Sequence, residues 1–171
     1  MPMTGLTIER TPPSVSITQL KVAELHLYWG FIRGHRRLAP RLPATGLEAI
    51  LAKVKADWHP EDVYAALRGE HATCIIVSRE TRLLGFVIYY TQPRPWSGKL
   101  DLFIWCAWGL PPCLTVPGDN LPEAVLLTHQ FLRNVKTELK AENIVFITSI
   151  SRRGFAKRFG FRPMFTTFWG E

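Results

Sequence analysis

The stretch ATCIIVSRETRLLGFVIYYTQPRPWSGKLDLFIWCAW, residues 72–108, decides the fold class. Its first two segments, Ala72–Ser78 and Leu83–Thr91, are rich in β-branched and aromatic side chains, which pack well on a pleated surface. Arg79-Glu80-Thr81-Arg82 between them reads as a hairpin turn, so the two segments are antiparallel neighbours. After Gln92-Pro93-Arg94-Pro95, the run Lys99–Trp108 begins with alternation and becomes continuously apolar, which predicts a central strand buried on both faces.

Towards the N-terminus, Gly5–Arg10 reads as a short first strand closed by Thr11-Pro12-Pro13. From Ile17 to about Leu38, apolar residues such as Leu20, Ala23, Leu27, Phe31 and Ile32 recur at helical spacing until Pro40 stops the run. Shorter helices are predicted over Leu47–Ala56 and, after Pro60, over Glu61–Leu67. Towards the C-terminus a proline-rich loop, Gly109–Asp119, leads to Asn120-Leu121-Pro122-Glu123. There Asn120 is placed to accept from the first helical amides and Glu123 to reach back. The helix it opens runs to about Glu142, lined by Val125, Leu127, Phe131, Leu132, Val135 and Leu139. Asn143–Ile150 reads as a strand, Arg152–Phe159 as a short helix ended by Gly160, and Met164–Trp169 as a last strand. Counting the two short early helices as one unit, the order is β-α-α-β-β-β-α-β-α-β: an α/β fold with a mixed central sheet flanked by helices.

Composition sets the outer bounds. At 171 residues with no linker-like tract, the chain is expected to form a single domain over residues 1–171. A 47% hydrophobic and 20% charged content is that of a soluble globular protein. The longest apolar runs fall far short of the roughly 20 residues a membrane span needs, and Met-Pro-Met-Thr-Gly opens no secretory signal, so an intracellular location is expected. Cys74, Cys106 and Cys113 form no metal-ligand spacing, which argues against structural zinc and a disulfide framework; Cys74 and Cys106 read as small buried hydrophobes. The net charge of +7 favours polyanionic or acidic partners.

This element order, from Gly5 to Trp169, resembles the GNAT superfamily of N-acetyltransferases, and Phe155-Ala156-Lys157-Arg158-Phe159-Gly160-Phe161 is similar to the family's closing signature. The resemblance implies acetyl-CoA lying against the splayed end of the fourth strand, with its pyrophosphate held by backbone amides where the next helix begins. The family motif for that turn is Gln/Arg-x-x-Gly-x-Gly/Ala. Here the stretch is Thr115-Val116-Pro117-Gly118-Asp119-Asn120-Leu121-Pro122: one glycine, two prolines without amide protons, and an acidic side chain where a diphosphate should sit. The tyrosine that in many members protonates the departing thiolate, four residues before the closing glycine, is Ala156. The resemblance extends to small GNAT-like proteins of tailed bacteriophages, including internal virion proteins, through the Ser-x-x-x-Phe-x-Lys-x-x-Gly pattern at Ser151–Gly160 and the missing glycine motif.

Candidate bases by residue type are His26, His71, His129, Glu80 and Asp101. His129, beside apolar helix positions, equally suits packing, and Asp101 suits an exposed edge of the central strand. Two basic clusters stand out: Arg33, His35, Arg36, Arg37 and Arg41, and Arg152, Arg153, Lys157, Arg158 and Arg162. Cations at a helix C-terminus complement its dipole, which accounts for part of the first cluster; Arg152 and Arg153, near a helix start, lack that reason. Phe86, Phe103, Trp105 and Trp108 read as core, and Trp29 and Trp58 fit either core or interface. Trp96, Phe165, Phe168 and Trp169 suit an exposed contact surface.

The sequence thus supports a GNAT-like chain with an eroded acyl-CoA site that acts as a non-catalytic binding or structural module, in the cytoplasm or in a phage virion. It would need no cofactor and would meet a protein partner, an acidic surface or a phosphate through Arg33, Arg36, Arg37 and Arg41. The alternative is an acyl-CoA-dependent N-acetyltransferase that takes pantetheine along Trp105, Cys106, Ala107 and Trp108 and phosphates on Arg152, Arg153 and Lys157. No metal site is expected. Nucleic acid is the least supported partner, since no helix-turn-helix, RNP-like or zinc pattern is present.

Overall fold

A computed structural model describes residues 14–54 and 56–146. The expected strand Gly5–Arg10, the expected helix Arg152–Phe159 and the expected strand Met164–Trp169 lie outside the described residues. Among the described residues five strands form one sheet in sequence order: β1 (Val15–Gln19), β2 (Thr73–Arg79), β3 (Arg82–Pro93), β4 (Leu100–Gly109) and β5 (Asn143–Phe146). All neighbours are antiparallel except β4 and β5, which run parallel and are joined by the long helix α4 (Leu121–Glu138). Three shorter helices, α1 (Leu25–Arg33), α2 (Gly46–Leu51) and α3 (Pro60–Arg68), precede β2.

The core is double. Leu25, Ile32, Leu47, Val63 and Leu67 from α1–α3 cover one face of the sheet, meeting Cys74, Ile76, Phe86, Ile88 and Cys106. On the other face Leu132 and Val135 of α4 cover Ile75, Val87, Leu102 and Ile104. This two-sided cover is the usual solution for a sheet with a parallel crossover. Among the described residues no helix is long and apolar enough to cross a membrane.

The expected bounds of the first two helices are corrected. The helix expected from Ile17 begins only at Leu25, because Val15–Gln19 pairs as an edge strand with Gln19 opposite Ile75 and Val15 opposite Arg79. The β-branched Val15, Ile17 and Thr18 satisfy both patterns, and backbone pairing with β2 decides between them. The same helix stops at Arg33 rather than near Leu38. Gly34 and Gly46, with φ of 69° and 60°, cross so closely that a Cβ on Gly34 would sit 1.9 Å from Thr45 O and one on Gly46 2.4 Å from Ile32 O. The second helix ends at Leu51 instead of Ala56, where Lys53 and Val54 both donate back to Ile50 O.

The hairpin turn and the cap at Asn120 fall where the sequence places them. Arg79 pairs with Arg82 across Glu80-Thr81, with Glu80 at φ 53°. The helix α4 ends slightly earlier than Glu142: Lys140, at φ 53°, donates to Thr137 O and Ala141 donates to Lys136 O. That is the hydrogen-bond pattern of a Schellman cap, made here without glycine.

Candidate functional site

The strand β4 is not uniformly buried, as its apolar run suggests. Pairing with β3 runs Ile88 to Cys106 and then Tyr89 to Ile104, leaving Trp105 as an extra residue. Such a bulge turns the strand and changes which face successive side chains take. Before it, Leu102 and Ile104 face α4; at and after it, Trp105, Cys106 and Trp108 pack against the α1–α3 side. Ala107 is exposed on the opposite side.

Between the bulged end of β4, strand β5 and helix α4 lies an apolar cavity of about 320 Å³. Its described walls include Ile104, Ala107 and Trp108 of β4, Ile144 and Phe146 of β5, and Ala124, Thr128 and His129 of α4. The volume is at the lower end of the small-molecule range. The imidazole of His129 has its pKa pushed below the ordinary histidine value, first by burial and then by Arg133, so it is neutral near pH 7. Its place on the wall was not specified by the sequence, where it reads equally as a packed helix residue.

The entrance to α4 is closed by its own groups. Leu121 N donates to Asp119 O at 2.9 Å, Glu123 N to Asn120 Oδ1 at 3.2 Å, and Ala124 N to Asn120 O at 3.0 Å; Pro122 has no N–H. Asn120 Nδ2 in turn donates to Glu123 Oε2 at 3.0 Å. Immediately upstream, the Asp119 side chain is 2% exposed and accepts from Val116 N at 3.0 Å and from Arg82 Nε at 2.9 Å. Arg82 Nη2 reaches Leu114 O at 2.7 Å, tying the loop to the start of β3. The Val116 amide, followed by the Arg82 guanidinium, holds the Asp119 carboxyl below the usual carboxylate range. Nothing in the sequence links Arg82 to Asp119, which are 37 positions apart.

The four residues expected to line a pantetheine path therefore divide. Ala107 and Trp108 border the cavity, whereas the Trp105 and Cys106 side chains pack on the far face of the sheet. The Trp105 ring meets Trp58 and Tyr90 edge-on at 5.9 and 6.2 Å between centroids. Burial raises the Cys106 thiol to about 12, which removes it as a nucleophile near neutral pH. Arg152, Arg153 and Lys157, and with them Ala156, lie outside the described residues.

Among the candidate bases, His26, His71 and Glu80 are exposed and none of them lines the cavity. Asp101 is not an exposed edge residue: it is half-buried, with Arg94 Nε and Nη2 each 2.8 Å from its oxygens and Asn143 Nδ2 at 3.1 Å. Arg94 holds its carboxyl below the usual range, and Arg94 and Lys99 also share Glu142, each at 2.6 Å. This network staples β3, β4 and the start of β5. Arg33 and Arg36 are paired with Glu61 and Glu48, while Arg37 and Arg41 have no carboxylate partner among the described residues. No group of metal-ligating side chains occurs among the described residues.

Neither a family model nor a curated protein matches the sequence. Solved structures do. A ribosomal-protein-alanine N-acetyltransferase of Brucella melitensis biovar Abortus superposes with a TM-score of 0.61 at 14% identity, covering 92% of this chain and 99% of that one. An aminoglycoside acetyltransferase from an uncultured soil metagenomic sample gives 0.60 at 11% identity, over 92% and 98%. A predicted acetyltransferase of Clostridium acetobutylicum, in a structure with acetyl-CoA, gives 0.58 at 14% identity, over 92% and 95%. The fold is that of the GNAT acetyltransferases. At these identities the likeness carries the GNAT fold alone, and the chemistry of this GNAT-fold chain has to be argued from its own residues.

Proposed function

We propose that this chain is a GNAT-fold binding or structural module that does not transfer acyl groups. The observation that carries the reading is the spent entrance of α4: Leu121 and Glu123 donate to the protein's own oxygens, and Pro122 has nothing to donate. A helix N-terminus attracts a diphosphate because its first amides are orphaned and its dipole is positive there. Here a capping side chain takes that role, and the Asp119 carboxylate next to it already holds the nearby Arg82 guanidinium and the Val116 amide. The residues present do not fit a diphosphate. Ala156, standing where many family members have a tyrosine, supports the same reading. The partner would be an acidic protein surface met by the cluster at Arg33, Arg36, Arg37 and Arg41, and the pattern at Ser151–Gly160 extends the proposal to a component of a phage particle.

The test is the melting temperature with acetyl-CoA. A ligand present at about 100 times its Kd stabilises the folded state by ~2.7 kcal/mol, or about 5–10 °C for a domain of this size. We expect no shift and no acyl transfer to amines; a clear shift would overturn the proposal. One observation favours the second reading, an acyl-CoA-dependent N-acetyltransferase: the apolar cavity beside the β4 bulge with a neutral His129 on its wall. That reading requires a shift that disappears when Arg152, Arg153 and Lys157 are replaced by alanine.

A further inference from the structure

Two exposed patches at opposite ends of α1 have complementary chemistry. At its N-terminal end a cavity of about 380 Å³ opens between α1, β1 and the β2–β3 hairpin, with Glu24, Leu27, Tyr28, Ser78 and Glu80 on its walls. Leu27 is 70% exposed, and Val22 beside it 41%. Neither Glu24 nor Glu80 has a cationic partner among the described residues, even though the chain carries a net charge of +7. The hairpin's own cations act elsewhere: Arg82 is bound to Asp119, and Arg79 lies near that carboxylate.

Past the C-terminal end of α1 the chain makes a braced loop. His35 N donates to Thr45 Oγ1 and Thr45 N to His35 O, Leu42 N donates to Ala39 O, and Arg37 reaches Ala39 O and Pro40 O. The loop holds out Leu38, 73% exposed, and Leu42, 50% exposed, next to Arg37 and Arg41. The first patch is acidic and apolar, the second cationic and apolar. Within one chain no ion pair joins them among the described residues, and the nine residues of α1 span about 13 Å between its ends.

We propose that the cationic loop of one copy docks on the acidic cavity of a second copy, joining chains head to tail. Charge complementarity singles out this occupant: Arg37 and Arg41 would face Glu24 and Glu80, and the exposed leucines of both patches would cover one another. The guanidinium fork suits carboxylates, and a loop braced before contact loses little freedom on docking. Because the two surfaces differ, the contact is heterologous and propagates into a ring or a filament rather than closing as a two-fold dimer. This inference rests on the proposed role of Arg37 and Arg41 in meeting an acidic protein surface and names that surface; it stands whether or not acetyl-CoA binds.

The test is sedimentation of the full chain at low salt over a concentration series. Wild type is expected to associate, and to lose at least about tenfold in association constant between about 0.1 M and 1 M salt, where the Debye length falls from about 10 Å to 3 Å. The double variants R37E/R41E and E24R/E80R should each remain monomeric with unchanged far-ultraviolet dichroism, since in each the loop and the cavity then carry like charges. Mixed in equal amounts they should associate again, because each loop then meets a cavity of opposite sign. A monomeric wild type, variants that associate as wild type does, or a mixture that stays monomeric would each overturn the proposal.

Discussion

Asn120 does two things with one side chain: it accepts from Glu123 N and donates to Glu123 Oε2. Replacing it with alanine removes both bonds and orphans one amide at the helix entrance. The loss of such a cap costs about 1 kcal/mol, so Asn120→Ala is expected to lower the unfolding free energy by that amount, seen as a lower urea midpoint with an unchanged slope. An unchanged midpoint would mean that the cap is not holding the entrance. This residue was readable in the sequence because capping is local, an acceptor followed three positions later by a glutamate. Its neighbour Asp119 was readable only as a misplaced charge. That its carboxylate is sequestered by Arg82 and Val116 depends on a hairpin folded against the loop, which no local pattern encodes.

Among the elements, the loop between α1 and α2 depends on a crossing of two glycines. Gly34→Ala would place a Cβ 1.9 Å from Thr45 O at a φ of 69°, adding a left-handed backbone cost of about 1–2 kcal/mol to a steric cost of about 1–3 kcal/mol. The variant is expected to lose about 2–5 kcal/mol in chemical denaturation and to release the loop's amides to faster hydrogen exchange. A loss below about 1 kcal/mol would show that the loop refolds around the methyl. Residues 17–38 read as one helical element because Ile17, Leu20, Val22 and Ala23 continue the apolar spacing of the helix Leu25–Arg33 back into the edge strand Val15–Gln19. The β4 bulge was equally hidden: an apolar run is compatible with any register, and only the opposite strand reveals that Trp105 is supernumerary.

For the whole molecule, the shifted groups define a pH window. The carboxyls of Asp101, Asp119 and Glu142 are lowered in the fold, so the stability they contribute is complete above their unfolded values, about 4, and is lost as pH falls through the folded ones. His129 is also lowered, so below about pH 6.5 the unfolded chain binds a proton the folded one resists, and stability starts to fall there. Burial raises the thiols of Cys74 and Cys106, so above about pH 8.5 the unfolded chain sheds protons that the fold retains. Denaturation midpoints measured across pH should therefore peak between about 6.5 and 8.5, with a shallow first decline on the acid side and a steeper one below about pH 4. A midpoint that is flat from pH 4 to 10 would contradict these assignments.

By itself the sequence determined the hairpin, the strand-rich centre, the capped long helix and the departure from a glycine-rich entrance, and these carried the GNAT-like order. Each is a short-range property, set by side-chain period, turn chemistry or a cap within a few residues. Tertiary structure decided where the first helix begins, which way β4 faces after Trp105, that Asp119 belongs to Arg82 and Asp101 to Arg94, and that His129 borders the cavity. Those outcomes depend on strand register and on charges meeting across tens of residues, and free energy selects among them only when the two faces of the sheet are covered together.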